Sequence, residues 1–176
     1  MSNAQPEHAL QVMVNKFVRE AVPQPHFFCG VDRSKATSRF THAREKARGL
    51  IAGTPDTLLV CPGLPLIAVE LKAPGNTPTE QQEQVGADIQ ASGHVWGWCD
   101  TVTGYAAILR AAGVALHPRA DIYAAGHDAT LSNAMARRKE AKASGTIPAR
   151  RSKPQAAKPS AAKLRRVAAL RSRVMF

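Results

Sequence analysis

The sequence predicts an α/β fold, a small mixed β-sheet flanked by helices, with a basic disordered tail at the C-terminus. Three observations predict it. Apolar residues alternate between helical spacing and short strand-like runs, in the order helix, strand, strand hairpin, helix, strand, helix. Two of those runs are joined by Pro62-Gly63-Leu64-Pro65, turn residues of the kind that close a hairpin. Thr79, with Gln82 three residues on, forms a capping box that opens a helix after the second hairpin strand.

The elements follow in order. Over 6–22, Leu10, Met13, Val14, Phe17, Val18 and Ala21 recur at helical spacing, with Pro6 suited to the first turn and Pro23 to the stop. His26 to Val31 is strand-like. Thr57–Cys61 and Leu66–Leu71 are the two hairpin strands. The capped helix runs to about Ala91, buries Val85 and Ile89, and ends at Gly93. His94–Cys99 reads as a third core strand, with Trp96 and Trp98 sharing one face, as core residues rather than base-stacking platforms. Asp100 or Thr101 caps a further helix through Tyr105, Ile108 and Leu109. Residues 113–128 are ambiguous, and 129–143 read as helical. This divides the chain into a domain over 1–125, a helical extension over 126–144, and a Pro/Ala/Lys/Arg-rich tail over 145–176. Within the tail, Ser160–Val174 has the spacing of a basic amphipathic helix.

Charge is unevenly placed. The chain of 176 residues carries a net +11, but residues 137–176 hold 13 Lys/Arg and one acid, so the rest is nearly neutral. Inside that neutral part, residues 31–48 contain six Lys/Arg and two acids. Arg33, Lys35, Arg39, Arg44, Lys46 and Arg48 there either line a phosphate backbone or cover a solvated loop, and His42 either touches phosphate or is plain surface. The three cysteines, Cys29, Cys61 and Cys99, form no CxxC pair, which argues against a zinc ribbon or disulfide framework and for a reducing cytoplasm. Six histidines form no HxxxH or HxH arrangement, so zinc hydrolysis is not expected. No apolar run approaches the ~20 residues that span a bilayer, and residues 1–10 lack a signal-peptide pattern, so no membrane association is expected.

The chemistry centres on the hairpin. Strand side chains alternate, so Ile67, Val69 and Leu71 face the core while Glu70 and Lys72 share the other face. That pair alone can be a simple ion pair. Asp56, ending Gly53-Thr54-Pro55-Asp56, opens the partner strand and comes near the far end of the strand carrying Glu70. Two converging carboxylates need a cation or a proton to relieve their repulsion. Hard oxygen donors suit Mg²⁺ or Mn²⁺. Such an ion lowers the pKa of a water and neutralises phosphoryl charge, and a neighbouring lysine positions the attacking hydroxide.

Gly53-Thr54-Pro55-Asp56, Val69-Glu70-Leu71-Lys72, Thr79-Glu80-Gln81-Gln82 and Gly93 together resemble the VRR-NUC branch of the PD-(D/E)XK nucleases. The resemblance spans about Glu7 to Leu109. It implies a restriction-endonuclease-like core with Asp56, Glu70 and the backbone carbonyl of Leu71 as metal ligands. It also implies Lys72 as catalytic lysine and Gln82 as the site-facing glutamine of the following helix, the spacing to Gly93 favouring it over Gln81. Glu7 matches an acidic position that can complete the site; as a helix-start acid it also complements the helix dipole. The chain resembles short stand-alone viral and phage members, which implies junction-resolvase-like behaviour and a homodimer. The expected activity is Mg²⁺-dependent DNA cleavage, selective for structure rather than sequence. The alternatives are a non-cleaving nucleic-acid-binding or packaging protein that keeps a nuclease fold, and a restriction-type or host-defence nuclease.

Overall fold

The computed structural model describes residues 6–31, 47, 49 and 51–144. The chain divides into two units, Met1–Arg137 and Arg138–Phe176. The sheet and all but the C-terminal end of the last helix belong to the first.

Four strands form one mixed sheet in the order β1-β2-β3-β4: β1 (Phe27–Gly30), β2 (Thr57–Val60), β3 (Ile67–Leu71) and β4 (Val95–Cys99). The hairpin pairs antiparallel as its turn predicts, with Thr57 opposite Val69 and Leu59 opposite Ile67. β1 pairs antiparallel with β2, and β4 runs parallel to β3, with Glu70 in register with Trp98 and Leu71 with Cys99. Among the described residues four helices accompany the sheet: α1 (Pro6–Ala21), α2 (Glu80–Ala91), α3 (Val102–Ala111) and α4 (Ala120–Ala143).

The layers follow from the alternation on β4. Ile108 of α3 lies against Gly97, and Gly86 of α2 lies against the ring of Trp96, so α2 and α3 cover opposite faces. The α3 side is the main core. There α1 buries Leu10, Val14, Phe17, Val18 and Ala21 with Leu59, Ile67, Val69, Leu71, Tyr105 and Leu109. Each such Val, Leu, Ile or Phe side chain contributes roughly 1.5–3 kcal/mol on burial. All five residues of β3 are buried, because this central strand is covered on both faces.

Several boundaries differ from the sequence expectation. α4 begins at Ala120, not near 129, and its Ala120, Ala124 and Leu131 join the core cluster, so this helix is tied into the first unit well before its C-terminal end. Asp128 of α4 accepts hydrogen bonds from the backbone N–H groups of Val102 (2.7 Å) and Thr103 (3.0 Å) and from the Thr103 hydroxyl (2.6 Å). Thr101 caps α3 through Gly104 N–H, and Asp128 satisfies the neighbouring donors. His127 Nε2 lies 2.8 Å from Glu20 on α1. On α2, Val85 and Ile89 are half-buried rather than core, since the closest approach to the sheet is made by Gly86. β4 is an edge strand, and Trp98 is not a core residue: it is 41% exposed. Alternation places it on the α2 face, but α2 crosses β4 over Trp96 and leaves Trp98 accessible. The tail over 145–176, and the amphipathic helix expected within it, lie outside the described residues.

Candidate active site

The site forms at the C-terminal end of β3. Thr57 and Val69 are the last paired residues of the hairpin on this side, so Asp56 and Glu70 are the first residues past the ladder on adjoining strands. On the β3 side Asp56 does not continue the backbone ladder. Its carboxylate Oδ2 instead accepts the N–H of Leu71 at 2.8 Å. Its carbonyl accepts the N–H of Val31 at 2.7 Å and the side-chain amide of Gln11 at 3.4 Å. The chain entering the site is held by Gly53, whose φ of +93° suits glycine. A Cβ there would meet the carbonyl oxygen of Gln81 at 2.7 Å and Val85 at 3.0 Å, so the loop carrying Asp56 lies directly on α2.

Glu70 and Lys72 point from β3 to the α2 face, as alternation requires. The Lys72 ammonium lies 2.7 Å from Glu70 Oε1. Both residues are buried, at 8% exposure for Lys72 and 2% for Glu70, and the Lys72 backbone N–H donates to Cys99 O at 2.9 Å. Gln82 completes the group. Its amide Nε2 donates to the same Glu70 oxygen, while its Oε1 accepts the Thr79 N–H at 2.8 Å and the Thr79 hydroxyl at 3.1 Å. One side chain thus closes the capping box of α2 and holds the buried acid. Gln81, the neighbouring alternative, is exposed.

Comparison of the chain with protein-family models, curated proteins and solved structures finds no match.

Asp56, Glu70, Leu71, Lys72 and Gln82 therefore meet at one sheet end. Glu7 stands in the first turn of α1. Among the described residues no three His, Cys, Asp or Glu side chains gather as a ready metal-binding group, and the bond from α1 to Asp56 comes from Gln11, one turn beyond Glu7. Gln11 is a contributor that sequence reasoning does not find; a glutamine on the polar side of an amphipathic helix carries no local mark of a partner 45 residues away. Trp98 is in register with Glu70 on the neighbouring strand. The basic residues Arg33, Lys35, Arg39, Arg44, Lys46 and Arg48, with His42, lie outside the described residues.

Burial also tunes the groups beneath the site. Desolvation pushes the Cys99 thiol up to about 12 and raises the Tyr105 phenol above its ordinary value. Cys61 is raised by burial as well. These thiols are protonated at neutral pH, unlike the reactive thiolates of nucleophilic cysteines. The cysteines are free rather than paired, as their spacing suggests.

Proposed function

We propose that this chain is a Mg²⁺- or Mn²⁺-dependent DNA endonuclease with a restriction-endonuclease-like core of the VRR-NUC kind. The buried Glu70–Lys72 pair beside Asp56 carries the proposal. A buried ion pair is a poor device for stability alone, because a well-packed apolar pair of similar volume is commonly as stable or more so. Its place at a strand end, beside a second carboxylate and under a glutamine that orients it, fits a chemical use.

The donor set fits a hard cation. Mg²⁺ takes one or two protein carboxylates and fills its shell with waters and phosphate oxygens. Asp56, Glu70 and the Leu71 carbonyl would hold it, with Glu7 a further candidate. Once bound, the ion supplies a water of lowered pKa and charge neutralisation at the phosphoryl group. The chain's own residues set the geometry for that chemistry. Leu71 N–H fixes the rotamer of Asp56. Gln82 and Lys72 both donate to Oε1 of Glu70. Lys72 places a positive charge where an attacking oxygen or a phosphoryl oxygen would need it.

The basic stretch and the tail would supply phosphate contacts, which position a duplex without reading its sequence, so selectivity for branched or junction DNA accompanies this reading. A cytoplasmic setting and a homodimer belong to the same proposal. Among the described residues no helix is long and apolar enough to cross a membrane. The basic tail favours a second reading, a DNA-binding or packaging protein that keeps the fold and does not cut.

The deciding experiment incubates the full chain with labelled duplex, single-stranded, forked and four-way DNA in Mg²⁺, Mn²⁺ or EDTA, alongside Glu70→Ala and Lys72→Ala. Metal-dependent cutting that both variants lose is expected. Cutting in EDTA, or undiminished activity in both variants, overturns the mechanism. Tight binding without cutting under every condition selects the second reading.

A further inference from the structure

We propose that Trp98 is a stacking platform for an unpaired nucleobase adjacent to the bond that is cut; this rests on the nuclease reading above. Register partners on neighbouring strands share a face, so Trp98 stands beside Glu70, on the face that carries Lys72. Strands lie about 4.8 Å apart. An indole rooted one strand over therefore reaches the space occupied by a nucleotide whose phosphate lies at Glu70 and Lys72. The two tryptophans of this strand differ sharply. Trp96 lies under Gly86 of α2, so tightly that a Cβ on that glycine would enter its ring, whereas Trp98 is 41% exposed. More than half of Trp98 is covered, and the remainder offers surface to a ligand. It is the large apolar group in the β4 edge strand left open beside an acid and an ammonium.

A flat aromatic beside a phosphate-binding point suits a nucleobase, because every base has a π-face and stacking on it is tolerant of sequence. Bases inside a continuous duplex have both faces covered by their neighbours. Away from duplex ends, an unpaired or splayed nucleotide is what can place a face on Trp98. The platform thus gives selectivity for forks, flaps and junctions a physical basis: an unstacked nucleotide is needed next to the scissile phosphate.

The test compares full-length wild type, Trp98→Phe and Trp98→Ala. Each is titrated with forked DNA, with Ca²⁺ replacing Mg²⁺, while intrinsic fluorescence is followed. A single abasic residue is then walked along the unpaired strand. The expected result is quenching in the wild type that Trp98→Phe lacks, near-normal affinity for Trp98→Phe, and affinity lowered about 5- to 150-fold for Trp98→Ala. One abasic position should weaken the wild type and leave Trp98→Ala unchanged. Equal affinities and identical abasic profiles in wild type and Trp98→Ala overturn the proposal. Cleavage of the same substrates in Mg²⁺ separates the two readings. Cutting indifferent to Trp98→Ala removes the platform and leaves the nuclease. Base-dependent binding at Trp98 with no cutting leaves the platform and removes the nuclease. Neither binding nor cutting overturns both.

Discussion

Lys72 and Glu70 stand two residues apart on one strand face, with the ammonium 2.7 Å from the carboxylate and both side chains almost wholly out of water. Removing one partner leaves a buried charge uncompensated, a loss of about 3–5 kcal/mol for a pair without other support. Gln82 still donates to Glu70, so Lys72→Met should fall at the low end. The double variant Lys72→Met/Glu70→Gln should recover most of that stability and none of the cleavage. Urea unfolding alongside a cleavage assay checks both halves.

Asp56 should separate structure from chemistry. Asp56→Asn keeps an oxygen able to accept the Leu71 N–H and removes the charge, so stability should change by less than about 1 kcal/mol while cleavage is lost. Asp56→Ala strands a buried donor and should cost about 1–3 kcal/mol. Hydrogen exchange at the Leu71 amide distinguishes the two, with faster exchange in Asp56→Ala.

Gly53 and Gly63 both have positive φ, +93° and +72°. A Cβ at Gly63 meets nothing within 4 Å, whereas at Gly53 it collides with the Gln81 carbonyl at 2.7 Å. Both alanine variants carry the backbone strain, about 1 kcal/mol, but only Gly53→Ala must also push the Asp56 loop off α2. Gly53→Ala should therefore melt well below Gly63→Ala and lose activity beyond its loss of stability.

Alkaline stability follows from the buried acids. Burial holds the Cys99 thiol at about 12 against an ordinary 9.0, and raises the Tyr105 phenol above 10.0. The unfolded chain releases these protons first, so their contribution is intact below about pH 9 and is lost as pH climbs toward 12. Cys99→Ala and Tyr105→Phe should each flatten the fall of unfolding free energy with pH above about 9. Denaturation curves at several pH values read the slopes.

The tail makes a different prediction. Residues 145–176 carry nine Lys/Arg and no acid. Truncation after Ser144 should weaken DNA binding and lower the slope of log affinity against log salt, by roughly 0.9 for each phosphate of a duplex that the tail neutralises. Metal-dependent cutting should survive at high enzyme concentration.

What the sequence makes legible is local. Alternation along Leu66–Leu71 places Glu70 and Lys72 on one face, and the Thr79–Gln82 spacing places the cap, because both rest on the geometry of one short segment. Bonds between distant segments leave no such mark. Nothing near Gln11 indicates a bond to the Asp56 carbonyl. Alternation gives the face of Trp98 but not where the covering helix stops, so this edge-strand residue reads as core in the sequence. The start of α4 is hidden because its Ala-rich first turns, with Gly126, have little apolar periodicity. Ala120 and Ala124 are buried by close approach of small side chains rather than by a stripe of large ones.

The Asp128 bonds to Val102 and Thr103 bear on where this fold can be cut. A chain ended at residue 125 keeps every strand and every proposed site residue, yet leaves the start of α3 with open amide donors and takes Leu131 from the core. The smallest self-sufficient version of the protein therefore reaches past Leu131. A trimmed variant for crystallisation, or a fusion partner grafted behind the sheet, has to carry that much of α4 with it.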